Sequence, residues 1–187
     1  MTGKMQLLIG ACAALTMASG CANQPAPPAT ATVSASTKQD QADCKALNHL
    51  TAILIDAGSL YREAAAKTDD PDLKRELGYL AGEREGQVAQ FQEKVSSLNG
   101  VPAESGEALG VGHRLFTDIR AAFEDDNKVA AREVLRGEEY LLDEVSKTAE
   151  DTALSADTRA FAQNYIAPIS ADRDRLEQLA KNFGADL

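Results

Sequence analysis

Three charged side chains stand where helices are otherwise apolar, namely Arg84, Glu138 and Asp172, and Tyr61 adds a phenol to the same set. Each lies on an apolar stripe repeating at three- and four-residue steps, the spacing of one helix face. Those stripes are Leu47-Leu50-Leu54-Ala57-Tyr61-Ala64, Leu77-Ala81-Arg84-Val88-Phe91-Val95-Leu98, Ala131-Val134-Glu138-Leu141-Val145-Thr148 and Ala162-Tyr165-Ile169-Asp172-Leu176-Leu179-Phe183. An unpaired charge in such a place costs several kcal/mol, roughly, so these groups must pair or reach water. Glu138 and Asp172 fall near one level if their helices turn back near residue 153, and Arg84 lies midway along its own helix. A planar guanidinium suits two carboxylates, so the expected arrangement is Arg84 bridging to Glu138 with Asp172 as second acceptor. Two other chemistries use the same residues: a small-ligand cavity beside Arg84, or metal coordination.

The chain has only two histidines, His49 and His113, which excludes a His-rich metal site. Helical bundles that hold two irons use one Glu from each of two helices and a Glu-x-x-His from each of the others. Ala46 and Gly110 stand three residues before the two histidines, so neither motif is present. Along helix two, Ala81-Gly82-Glu83-Arg84-Glu85-Gly86-Gln87 resembles the ferritin-like Ala-x-Glu-Glu-x-x-His region, with Arg84 in place of a ligand Glu and Gln87 in place of the His. The facing level of helix one is read as Leu54, helix three keeps Glu138, and helix four offers Ile169 and Asp172. No metal, cofactor or catalytic residue is therefore assigned. Asp69, Asp70 and Asp72 read as helix capping rather than a calcium site. Glu124-Asp125-Asp126 reads as a solvated turn, and Glu63 and Glu83 as helix-edge charges. No phosphate-cradling Gly-rich loop or nucleophilic triad spacing is present.

Four helices must position these groups. They are expected at about 41–67, 71–98, 128–150 and from a Ser155 cap to about Phe183. Asp70 is a natural N-cap before Pro71, Asn99-Gly100 ends the second helix, and Pro168 should kink the fourth or sit at a bulge. Two connections are tight, and that of residues 100–127 is long and carries a short helix from His113 to Phe123, docked through Phe116. The fold class is all-α: a four-helix bundle whose long helix 2–helix 3 crossover makes it ferritin-like.

The N-terminus has a different job. In residues 1–20, Lys4 precedes an apolar run from Met5 to Met17, and Ala18-Ser19-Gly20 precede Cys21. This is a signal-peptide layout, too short to span a membrane. It resembles a bacterial lipoprotein signal, which implies cleavage before Cys21 and acylation of that cysteine. Ala22 after it favours the outer membrane, facing the periplasm. Residues 21–40 contain Pro25, Pro27 and Pro28 among Ala, Ser and Thr and form a flexible tether, leaving 41–187 for the bundle. Removal of Lys4 with the signal takes the net charge from −10 to −11. Cys44 then remains as the only free thiol, so no intramolecular disulfide forms.

Leu47-Asn48-His49-Leu50, Tyr61-Arg62-Glu63-Ala64-Ala65, Leu80-Ala81-Gly82-Glu83-Arg84, His113-Arg114 and Arg136-Gly137-Glu138, in that order, resemble the bacterial ferritin-like family known as domain of unknown function 2383. The resemblance covers about residues 44–180 and implies the bundle with its long crossover, and no established activity. Some members carry His-Asp-Arg on the last helix, where this chain has Arg173-Asp174-Arg175.

With 29 acidic against 19 basic residues, the 187-residue chain is not built for nucleic acid. The expectation is a lipid-anchored envelope module that is not an enzyme, held to the membrane by its lipid and acting on an unknown envelope protein, in an interaction or stress role. The alternative is a ferritin-like metal-binding protein or oxidase with an atypical site.

Overall fold

The computed structural model describes residues 37–106 and 127–184. They form four helices and, among the described residues, no strand: α1 Lys38–Lys67, α2 Pro71–Ser97, α3 Asn127–Glu150 and α4 Ala156–Asn182. All lie within one compact unit, Ser34–Leu187. The expected short helix between His113 and Phe123, the signal and Cys21 lie outside the described residues.

Helix ends follow local chemistry. The first helix starts three residues earlier than 41, because Thr37 and Asp40 form a reciprocal capping box that the tether reading of residues 21–40 overlooked. Asp70 accepts from the backbone N–H groups of Asp72 and Leu73 and so caps α2 ahead of Pro71. Ser155 accepts from Thr158 N–H and caps α4. At the end of α2 the left-handed residue is Asn99, with φ of 59°, rather than Gly100. Gly100 is needed for another reason: a Cβ there would stand 2.5 Å from Cys44 Sγ and 2.9 Å from Val95 Cγ1. Helix α4 runs continuously through Pro168.

The helices pair as two hairpins, α1 with α2 and α3 with α4. Within the first, Gly58 lets the chains approach, since its missing Cβ would meet Arg84 Cβ at 3.4 Å. Contacts between the hairpins fix direction. Along α1 and α3, Thr68 meets Asn127 at 2.9 Å, Tyr61 meets Glu138, and His49 meets Glu144 at 3.1 Å. Residue numbers fall on one helix as they rise on the other, so the two are antiparallel. Along α2 and α4, Gln90 meets Tyr165, Arg84 meets Asp172 and Glu76 meets Arg175, again antiparallel.

The four apolar stripes face inward. Every stripe residue of α1 and α3 is buried, and Val88, Leu98, Tyr165, Leu179 and Phe183 are partly buried. Phe91, Phe161 and Tyr165 join α2 to α4 with ring centroids 4.7–5.2 Å apart. No described helix is long and apolar enough to cross a membrane.

Candidate functional site

At mid-height the apolar core is interrupted by one polar layer to which all four helices contribute. Arg84 and Glu138 are 0 % exposed, Tyr61 is 0 % and Asp172 is 3 %. Arg84 Nε donates to Glu138 Oε1 at 3.2 Å, and Nη2 donates to Glu138 Oε2 as well. The same Nη2 reaches Asp172 Oδ2 at 2.8 Å, while Nη1 donates to Gln87 Oε1 at 3.2 Å. Tyr61 Oη donates to Glu138 Oε1 at 2.7 Å. The structure thus brings together all four residues singled out on the stripes. The α1 residue in this layer is Tyr61, not Leu54: α1 and α2 are in register through Gly58, a full turn beyond the level inferred from sequence.

Two further residues belong to the layer. Gln87, read in the sequence only as a replaced ligand, caps the free side of the guanidinium. Arg175, one turn after Asp172, was not singled out. Its Nη2 donates to Asp172 Oδ1 at 2.5 Å, its Nε donates to Glu76 Oε1 at 3.0 Å, and its guanidinium lies 4.7 Å from the Tyr79 ring centre. Arg175 is half exposed, so the layer runs from the buried phenol of Tyr61 to the surface. The sequence signal available was the i, i+3 spacing of Asp172 and Arg175.

The charges in this layer are matched in pairs: two arginines face two buried carboxylates, with Glu76 at the rim. Glu138 receives three donors, which is the demand of an ionised carboxylate. Burial nevertheless pushes its carboxyl above the ordinary range, because lost hydration outweighs the pull of Arg84 and Tyr61. Burial works against the Arg84 charge too, but Glu138, Tyr61 and Asp172 outweigh it and hold the guanidinium charged. Burial and the neighbouring Glu138 carboxylate push the Tyr61 phenol far above its usual value, so it stays protonated and donates to Glu138.

The layer does not fit a metal. Arg84 lies between the two carboxylates, its nitrogens occupy the oxygens that a cation would need, and its own charge repels one. Among the described residues no group of three or more His, Cys, Asp or Glu side chains is placed to hold an ion. His49 is on the α1–α3 surface against Glu144 rather than in this layer. His113 lies outside the described residues.

A second polar tie was missed in the sequence. Asp43 on α1 is buried, accepts Ser155 N–H at 3.0 Å and Gln39 Nε2 at 3.0 Å, and so anchors the start of α4 from a neighbouring helix. Burial opposes its charge, but the Ser155, Gln39 and Thr158 hydrogen bonds prevail and hold the carboxyl below the ordinary range. Gln39 also donates to Ala153 O at 3.0 Å, in the same turn. Cys44 is buried beside it. Burial, then the Asp40 and Asp43 carboxylates, pushes the thiol up, which makes it a poor nucleophile.

The family model described as Domain of unknown function (DUF2383) matches residues 43–151, more than half of the chain. That stretch contains Tyr61, Arg84, Gln87 and Glu138, and stops short of Asp172 and Arg175 on α4. No curated protein matches the chain, and no solved structure does.

Proposed function

The chain belongs to the DUF2383 family, and from that premise we propose that it is a lipid-anchored bundle of the cell envelope that works through protein contacts rather than catalysis. One observation carries the non-enzymatic reading: the only buried layer of charge described is closed on itself. Arg84, the one cation at the bundle centre, spends its donors on Glu138, Asp172 and Gln87, and no polar atom of Arg84, Glu138, Asp172 or Tyr61 is left buried without a partner. A guanidinium whose every nitrogen is engaged by its neighbours is arranged to hold helices in register rather than to transfer protons or ligate.

Anchoring rests on the sequence. Lys4, the apolar run to Met17, Ala18-Ser19-Gly20 and then Cys21 form a lipoprotein-type signal, and the Pro-rich residues that follow form a tether to the Thr37 cap. The outer membrane, facing the periplasm, is the site that Ala22 favours. Ferritin-like connectivity belongs to the same reading. Its support is that α1 is antiparallel to both α2 and α3, so that α2 and α3 run parallel, as in a bundle of that connectivity.

Fractionation of cells making the full chain tests the anchor. Wild type should sediment with membranes and carry an acyl mass on Cys21, and Cys21→Ser should be released. A wild-type chain found wholly in the soluble fraction without acyl mass would overturn the proposal. Metal analysis tests the alternative of an oxidase: stoichiometric iron or manganese lost on Glu138→Ala would replace a contact module with a metalloprotein.

A further inference from the structure

The outward face of α2 carries a ridge of small residues. Arg75, Gly78, Gly82, Gly86, Ala89 and Glu93 recur at three- and four-residue steps and are all exposed. Three glycines in a helix interior are costly, because each gives the unfolded chain freedom that alanine would not. Among the described residues nothing explains them. A Cβ added at Gly78, Gly82 or Gly86 would meet no atom within 4 Å, whereas at Gly58, which admits a neighbouring helix, it meets Arg84 Cβ at 3.4 Å.

Charge supplies the second, independent observation. Arg75 and Glu93 each lie nine residues from position 84, on opposite sides of it, and a separation of eighteen residues is five full helical turns. They therefore point the same way from the two ends of the glycine ridge. A copy of α2 laid antiparallel across this face, with the two-fold axis at the level of residue 84, sets Arg75 against Glu93 of the second copy and repeats the pair at the other end. In the same register Gly82 faces Gly86 of the second copy, and Tyr79, 47 % exposed, covers Ala89. The ridge is thus complementary to itself under a two-fold axis, which is the requirement for a closed isologous contact.

We propose that this face is the contact between two copies of the chain, with α2 crossing α2 antiparallel over Gly82 and Gly86 and two reciprocal Arg75–Glu93 pairs setting the register. The missing side chains let the backbones approach closely, and each charge pair opposes sliding of the register. This goes beyond the contact-module reading and does not depend on the lipid.

Sedimentation velocity of the full chain in mild detergent, from micromolar to hundreds of micromolar, reads the association directly. A monomer–dimer equilibrium is expected. Gly82→Leu should abolish it while the far-ultraviolet circular dichroism and the melting temperature hold or rise, because that position is open and leucine is the better helix former. Glu93→Arg alone should weaken dimerisation several-fold, and Arg75→Glu combined with Glu93→Arg should restore it. A wild-type chain that stays monomeric throughout overturns the proposal. So does a dimer indifferent to Gly82→Leu, or a Glu93→Arg defect that the double reversal fails to relieve.

Discussion

Among the described residues Arg84 is the largest side chain held fully inside the bundle, and its stability contribution is one-sided. Removing it leaves Glu138 buried without a counter-charge and Asp172 with only the half-exposed Arg175. Arg84→Met should cost about 3–5 kcal/mol in urea unfolding. A neutral effect would mean that the two carboxylates find water. Two of the buried acids, Asp43 and Glu138, respond oppositely to pH. Asp43 has a carboxyl held below its ordinary value of 3.8, so the stability it contributes is complete above that value and is lost as pH falls through the lower folded value. The Glu138 carboxyl is raised above its ordinary 4.5 in the folded chain, so its protonation favours the folded state and its contribution weakens as pH rises instead. Asp43→Asn should therefore flatten the loss of stability below about pH 4. Glu138→Gln should leave that limb in place. A profile unchanged by Asp43→Asn would show that the Ser155 tie adds nothing in solution. Arg84, Glu138 and Asp172 were legible as residues because a charge on an apolar stripe breaks a pattern. Asp43 and Arg175 broke none, since each stands at a position where a surface helix commonly carries charge.

At the level of elements, α1, α2 and α4 begin at side-chain caps, Thr37, Asp70 and Ser155. Ser155→Ala removes the acceptor for Thr158 N–H and should cost about 1 kcal/mol. Gly100→Ala should cost about 1–3 kcal/mol, because the new methyl would have to displace Cys44 and Val95 in a packed corner. The same packing shields the thiol, so Cys44 in the native chain should resist alkylation by iodoacetamide and react fully in urea. Rapid native labelling would show that the corner opens. Asp70, Pro71 and Ser155 marked their helices in the sequence, as local hydrogen bonding acts within four residues. The register of α1 against α2 was not local. It depends on Gly58 meeting the backbone of α2, and for that reason the level of the polar layer fell at Tyr61 rather than Leu54.

Across the whole molecule, the polar layer joins one hairpin to the other. In its buried bonds between the hairpins, the donors Tyr61 and Arg84 come from α1 and α2, and the acceptors Glu138 and Asp172 from α3 and α4. The apolar stripes above and below it supply the folding drive, so the layer acts mainly to fix which hairpin face meets which. Replacing Arg84, Glu138 and Asp172 together by Met, Leu and Leu should be far less damaging than Arg84→Met alone, and the triple variant should remain helical and cooperative in thermal unfolding. A triple variant less stable than the single one would mean that the charges drive folding rather than register.

From its sequence alone, this chain determines a helical class, four apolar stripes, the caps that bound them and the three charges that interrupt them, because periodicity and capping are properties of neighbouring residues. Only the tertiary structure decides that those charges meet in one layer, that Gln87 and Arg175 complete it, and that Asp43 holds the start of α4. The Arg84–Glu138, Arg84–Asp172 and Asp43–Ser155 pairings join residues 54 to 112 positions apart, and helix register sets them.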